Sequence, residues 1–226
     1  MQIAIDRKIL LDPLSKIVRI TEHRSIMPIL TSVRLTLGTE RSSITATDLE
    51  VSAVINVKAE TPPADIVLRG SVLHNILKAL EQGDVTLTID QNTVTISQGK
   101  FVTDLALQDI EEFPEVKLME ADKKLRLKTK TLFESIEKVE FATGHDETRY
   151  VLTGLYFKHK AGNIEVVATD GHRIAFHRQD IQEDGLSMPG VIIPKKAVSD
   201  LMRIVGDEEE VVSASAYTGL STPHNF

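Results

Sequence analysis

The sequence predicts an α+β fold in which one unit occurs twice in tandem, each copy carrying two helices packed on antiparallel sheets. Three observations predict it. The chain resembles itself when offset by 122 positions. Short β-branched segments alternate apolar with polar residues between turn residues. Two apolar stripes at helical spacing recur in each half.

The offset brings Lys8 onto Lys130, Leu10 onto Leu132, Leu14 onto Ile136, Lys16 onto Lys138 and Ile17 onto Val139. Further along, Ile29-Leu30-Thr31 meets Val151-Leu152-Thr153, and Ala46-Thr47-Asp48 meets Ala168-Thr169-Asp170. The register holds for about 45 residues without a gap. After a small insertion, the strand Ile66-Val67-Leu68 corresponds to Val191-Ile192-Ile193. Helices follow, with stripes Val72, Leu73, Ile76, Leu77, Leu80 and Ala197, Val198, Leu201, Met202, Val205. Each is expected to end at a Gly-Asp pair, Gly83-Asp84 and Gly206-Asp207, with glycine as the left-handed cap.

One copy therefore reads strand, helix, several strands, helix, more strands. In the first copy Val85–Ile89 and Val94–Ile96 flank the turn Asp90-Gln91-Asn92, a hairpin signal, and Phe101–Leu107 follows. The acidic, proline-bearing stretch Glu111-Glu112-Phe113-Pro114-Glu115 marks the boundary. The expected division is 1–116, 117–212 and a tail, 213–226, that resembles neither copy. The second copy is expected to lack part of its sheet.

The first helix region, about residues 7 to 19, carries Arg7, Lys8, Lys16 and Arg19, and Asp12-Pro13 is expected to bend or restart it. Arg24 follows in a loop. The second carries Lys78, with Arg69 before it. The third, opened by Thr131 with Glu134 three residues on as a capping box, carries Lys130 and Lys138. The fourth carries Lys195, Lys196 and Arg203. A basic residue on every helix suits a sequence-blind surface for a phosphate backbone; any solvated helix face shows such charges too. The formal net charge of −7 argues against nucleic acid only as an average, because one basic face can coexist with acidic outer surfaces.

Cysteine is absent, which excludes disulfides, thiolate metal sites and a cysteine nucleophile. No apolar run approaches a membrane span, and the chain is expected to be cytoplasmic. No phosphate-cradling glycine loop, dinucleotide fingerprint or HExxH occurs. His145-Asp146 and Asp170 with His172 could be metal pairs, but both lie in polar turns. Thr47-Asp48 and Thr169-Asp170 occur in both copies and belong most simply to the fold, a side chain bonding its own turn. Gly171-His172-Arg173 occurs only in the second copy, where the first has Leu49-Glu50-Val51. A feature added to a shared framework is the better functional candidate.

Met27-Pro28-Ile29-Leu30, Thr47-Asp48-Leu49-Glu50, Arg149-Tyr150-x-Leu152-x-Gly154, Ala168 to Ala175 (ATDGHRIA) and Ile193-Pro194-Lys195-Lys196-Ala197 resemble the beta sliding clamp of bacterial DNA polymerase III. The resemblance runs from residue 1 to about 211 and implies tandem DNA-clamp domains, N-terminal and central. In that family three copies of one fold make a subunit, and two subunits close a ring with helices lining the hole. The resemblance implies a non-catalytic processivity factor that encircles duplex DNA and tethers the replicative polymerase, needing no cofactor or metal. It implies DNA contacts at Arg24, Arg149 and Tyr150, with Lys195 and Lys196 on the same basic surface. It implies a partner-peptide groove at Leu152, Thr169, Gly171, His172, Arg173 and Ile174. Partners implied are the polymerase catalytic subunit, the clamp loader and other clamp-binding polymerases and repair proteins, with self-association in the intact family. Without the third domain, ring closure of the family's kind and tight peptide binding are not expected. Two other readings stand beside it: a protein-interaction fragment that never encircles DNA, and a metal-dependent phosphohydrolase using His145, Asp146, Asp170 and His172.

Overall fold

Asp6 ends a strand and starts a helix. Its carboxylate accepts the Lys8 N–H at 2.7 Å, so the turn from Gln2–Asp6 (β1) into Arg7–Ile17 (α1) needs no loop. The computed structural model describes residues 1–21, 27–116, 123–160, 162–181, 188–206 and 210–215. It divides into two units, Met1–Lys117 and Leu118–Phe226.

In the first unit, α1 is followed by Ser32–Leu37 (β2), Ser42–Thr47 (β3), Ser52–Val57 (β4) and Ala64–Arg69 (β5). Then come Gly70–Ala79 (α2), Asp84–Ile89 (β6), Thr93–Gln98 (β7) and Phe101–Ala106 (β8). The strands form two antiparallel sheets, β1-β6-β7-β8 and β4-β3-β2-β5. Leu10, Leu14 and Ile17 of α1, Leu73 and Leu77 of α2, and Val33, Leu35, Ile44, Leu87 and Ile96 from the sheets are all buried. Each such apolar side chain contributes about 1.5–3 kcal/mol on leaving water.

The helix α1 does not restart at Pro13. Pro13 sits inside it and is buried with Leu10, Leu14 and Ile17, so packing outweighs the one main-chain bond that proline forfeits. Arg7 is not a free basic residue of the polar face. Its guanidinium donates to the carbonyls of Leu77 and Leu80 at 2.9 and 3.0 Å and closes the end of α2. That helix stops at Ala79, with Leu80 extended as its cap, so Gly83 (φ 119) lies beyond it in the turn.

The second unit repeats the order: Lys123–Lys128 (β9), Thr129–Glu137 (α3), Gly154–Lys160 (β10), Asn163–Thr169 (β11) and Ile174–Asp180 (β12). Met188–Pro194 (β13), Lys195–Val205 (α4) and Glu210–Ser215 (β14) complete it. The sheet β12-β11-β10-β13 matches β4-β3-β2-β5. Its register is the same: Leu35 opposite Ile44 becomes Phe157 opposite Val166, and Ile44 opposite Ile55 becomes Val166 opposite His177. The core gathers Leu132, Ile136, Val139, Leu155, Ile164, Val166 and Val198.

One expectation fails in α3 and another holds in α4. The helix α3 begins at Thr129, with Lys128 at the cap and no capping side chain, so Thr131 lies within the first turn and forms no capping box. Its carbonyl instead accepts the Ser135 hydroxyl at 2.7 Å, and Glu134 lies 3.8 Å from Lys130. Gly206 does cap α4, in the left-handed region (φ 53), with its N–H on the Met202 carbonyl at 3.1 Å.

Among the described residues, β9 and β14 form a two-stranded sheet where the first unit has four strands. Gln2 opposite Thr88 and Asp6 opposite Asp84 recur as Lys124 opposite Ala214 and Lys128 opposite Glu210. The strand β14 thus runs to Ser215, three residues past the point where the sequence ceases to resemble the first copy. Residues 216–226 lie outside the described residues.

Candidate functional site

The turn between β11 and β12 is built by its own side chains. Asp170 Oδ1 accepts the N–H groups of His172 and Arg173 at 2.9 and 3.0 Å. Thr169 Oγ1 accepts the Gly171 N–H at 3.1 Å and donates to the Arg173 carbonyl at 2.7 Å. The first unit holds the same arrangement. Asp48 Oδ1 accepts from Glu50 and Val51 at 3.0 and 2.6 Å, and Thr47 Oγ1 accepts from Leu49 at 3.1 Å. The Thr-Asp pair is therefore framework in both copies. The third position needs a positive φ, 78° at Leu49 and 89° at Gly171.

Arg173 is what the second copy adds. Its Nε donates to Asp170 Oδ2 at 2.9 Å, and a terminal nitrogen donates to the Phe141 carbonyl at 2.8 Å. The guanidinium also lies 5.6 Å from the centre of the Phe141 ring. The amides of His172 and Arg173, and then the Arg173 guanidinium, hold the Asp170 carboxyl at about 2, below its ordinary 3.8. The turn is thus fixed while its outer side chains stay available: His172 is exposed, and Ile174 is 72 % exposed.

Leu152 joins this turn. A Cβ on Gly171 would meet Leu152 Cδ1 at 3.9 Å, and one on Gly144 would meet Leu152 at 3.3 Å and Asp170 Cα at 3.6 Å. The Gly144 N–H donates to the Leu152 carbonyl at 2.7 Å. Leu152, Thr169, Gly171, Arg173 and Ile174 therefore lie on one patch of the second unit, with His172 in the same turn. Sequence reasoning missed Phe141 and Gly144, which support it. Their signal was indirect: a large apolar residue just past a helix end and a glycine before a polar turn.

The basic candidates divide. Arg149 is exposed in the turn Glu147–Leu152, at φ −115 and ψ 60, with its N–H on the Asp146 carbonyl at 3.0 Å. Tyr150 follows in the same turn. Lys195 opens α4 half-buried, its N–H on the Thr153 carbonyl at 3.1 Å, and Lys196 beside it is exposed. Arg24 lies outside the described residues. Of the helix cations, Lys8 is 4.0 Å from Asp12, a surface pair that contributes little to stability, and Arg203 is 3.1 Å from the buried Asp200.

A metal reading finds no support in this geometry. The Asp170 carboxylate is committed to its turn and to Arg173. Asp146 accepts the Thr148 hydroxyl at 2.6 Å and amide at 3.0 Å, which lowers its pKa. Among the described residues, no group of three or more His, Cys, Asp or Glu could hold a metal ion.

Residues 1–117 match the DNA polymerase III beta subunit N-terminal domain, and residues 126–219 match the central domain. The chain belongs to the DNA polymerase III beta subunit family. It is similar to the beta sliding clamp of Halalkalibacterium halodurans, 30 % identical over 227 residues, covering 94 % of this chain and 59 % of that one. The beta sliding clamp of Haemophilus influenzae is 29 % identical over 213 residues, covering 93 % and 58 %. Among solved structures, a sliding clamp from Pseudomonas aeruginosa bound to griselimycin superposes with a TM-score of 0.86 at 27 % identity, over 95 % of this chain and 59 % of that one. The beta subunit from Thermotoga maritima gives 0.84 at 25 %, over 96 % and 59 %. The chain thus spans about 59 % of the length of the curated relatives it matches. The central-domain match reaches residue 219 and so takes in all of β14.

Proposed function

We propose that this chain supplies the N-terminal and central domains of a sliding clamp, a non-catalytic processivity factor that encircles duplex DNA and tethers the replicative polymerase. Membership of the beta subunit family carries the reading. The added, pre-fixed turn Thr169–Ile174 supports it, since a rigid rim beside exposed apolar residues suits an anchoring peptide. Topological tethering raises the effective concentration of a polymerase at the primer end without tight DNA contacts. Arg24, Arg149, Tyr150, Lys195 and Lys196 are the proposed backbone contacts. Leu152, Thr169, Gly171, His172, Arg173 and Ile174 are the proposed peptide site. The polymerase catalytic subunit, the clamp loader, and other clamp-binding polymerases and repair proteins are its proposed partners. The proposed location is the cytoplasm. No helix among the described residues is long and apolar enough to cross a membrane.

The test is retention on circular DNA. A closed assembly loaded on a nicked plasmid should stay bound and leave when the plasmid is cut once. Retention that ignores the cut, or none at all, sinks encirclement. Light scattering then shows whether the 25.0 kDa chain closes as an oligomer or stays a monomer.

A further inference from the structure

Among the described residues, one bond between side chains joins α1 to α2. Ser15 Oγ lies 3.1 Å from His74 Nε2. The Ser15 hydroxyl donates its one proton to the Leu11 carbonyl, a turn back, at 2.7 Å. Toward His74 the oxygen can therefore only accept, so Nε2 carries the N–H. The tautomer is fixed, and Nδ1 is the nitrogen left to take up a proton. Ser15 is exposed and His74 half-buried, which places the pair at the surface of the seam between the two helices.

The charges along this seam favour an anion. On α1, exposed Asp12 lies one turn before Ser15, Lys16 lies beside it, and exposed Arg19 follows just past the helix end. Asp12 is 4.0 Å from Lys8. On α2, exposed Lys78 lies one turn after His74. The strands β2 and β5 also pack on α2, and what they bury, Val33, Leu35, Ile66 and Leu68, is apolar. The second unit has reversed the balance. Glu134, Glu137 and Phe141 stand where the first has Asp12, Ser15 and Arg19, and Ser199, Asp200 and Arg203 where it has His74, Asn75 and Lys78. Arg203 is taken by Asp200 at 3.1 Å. At these positions the first seam sets Arg19 and Lys78 against one carboxylate, and the second sets Arg203 against three.

We propose that the α1–α2 seam of the first unit is a pH-gated contact for the phosphate backbone of duplex DNA, centred on His74. Histidine gains its charge between about pH 5 and 8. Below that range the ring adds a cation between Arg19 and Lys78. Above it the neutral ring only braces the helices through Ser15. The contact is therefore present in acid and lost as pH rises. The inference rests on the DNA-binding reading but not on encirclement.

The probe is a short fluorescein-labelled linear duplex, bound to the full chain across a salt series at about pH 6 and about pH 8 and read by anisotropy. Affinity should rise roughly three- to tenfold at the lower pH, and the slope of log K against log salt should steepen by about 0.9, the signature of one more phosphate contact. The chain has 7 histidines, so a pH effect alone assigns nothing; His74→Asn should erase both differences. Lys78→Ala should flatten the slope at both pH values, since lysine stays charged throughout. If the His74 variant misfolds, the imidazole signals of the isotope-labelled, unaltered chain decide: the duplex should shift those of His74 at the lower pH, and unmoved signals would overturn the contact. Binding with one slope at both pH values, or a difference that survives His74→Asn, would overturn the contact and leave the DNA reading standing. No saturable binding at either pH would overturn both.

Discussion

At one position of the shared scaffold the two units use unrelated chemistry. In the first, Arg34 donates to both oxygens of Asp65 at 2.9 and 2.6 Å, a bidentate pair that raises the pKa of the arginine. In the second, the matching sequence positions hold Tyr156 and Gly190. A Cβ on Gly190 would fall 1.9 Å from the Tyr156 hydroxyl oxygen, so the ring occupies the space a side chain would need. The strands pair alike as far as Phe157 opposite Val191, after which the second unit shifts register between Phe157 and His159. The comparison teaches that strand order is kept while side chains at paired positions change together, so a member of such a pair does not transfer alone.

Moving residues from one copy to the other tests this. Gly154 occupies the register position of Ser32, which is fully buried. A Cβ on Gly154 would lie 2.7 Å from both the Ile193 carbonyl and the Ile192 side chain. Gly154→Ser should therefore cost the second unit about 3 kcal/mol in denaturant unfolding. A loss below about 0.5 kcal/mol would break the comparison, being no more than an ordinary surface change.

His159→Leu should act in the opposite direction. His159 is 2 % exposed, and neither ring nitrogen has a partner among the described residues. Its counterpart, Leu37, is buried and apolar. Removing two unpaired polar atoms should stabilise the second unit by about 1–2 kcal/mol, read as a higher denaturation midpoint.

Gly190→Asp should cost about 1–2 kcal/mol by displacing the Tyr156 ring. Adding Tyr156→Arg should recover part of that, with a coupling of at least about 0.5 kcal/mol in a double-mutant cycle. Strict additivity would show that the pairs are not matched. Leu49→Gly relieves a positive φ at a residue whose side chain is 59 % exposed, and should stabilise the first unit by about 1 kcal/mol.

The smallest effect is in acid. The Asp170 carboxyl titrates at about 2 when folded and near 3.8 otherwise, so its support for the turn is full above pH 4 and fades toward pH 2. The His172 and Arg173 amide shifts should follow that midpoint, and Arg173→Ala should raise it. A midpoint near 4 in the unaltered chain would mean that the carboxylate does not hold the turn.

Much of this was legible in the sequence because the repeat samples one fold twice. The strand and helix order, the hairpin at Asp90-Gln91-Asn92 and the self-bonding Thr-Asp turns follow from patterns that recur at one offset. Helix ends were harder. Leu80 leaves the helix because its cap is satisfied by Arg7, a residue of the other helix, and no local signal at Gly83 reveals that. The capping box at Thr131 failed because β9 runs directly into α3, leaving no loop to form it. The turn residues of the candidate site were legible, but Phe141 and Gly144 meet them only through tertiary packing.

The strand β1 has no partner until the chain returns to it. Gln2 pairs with Thr88, the Met1 ammonium meets the Ile89 carbonyl at 2.7 Å, and Arg7 waits for Leu77 and Leu80. At synthesis rates of roughly 5–20 residues per second, the interval on the ribosome is on the order of 4–17 s. The first edge of the unit spends that time as an unpaired template, and the second unit repeats the delay between β9 and β14. Vectorial synthesis thus exposes the chain to misassembly twice, each time until the far end of a unit has emerged.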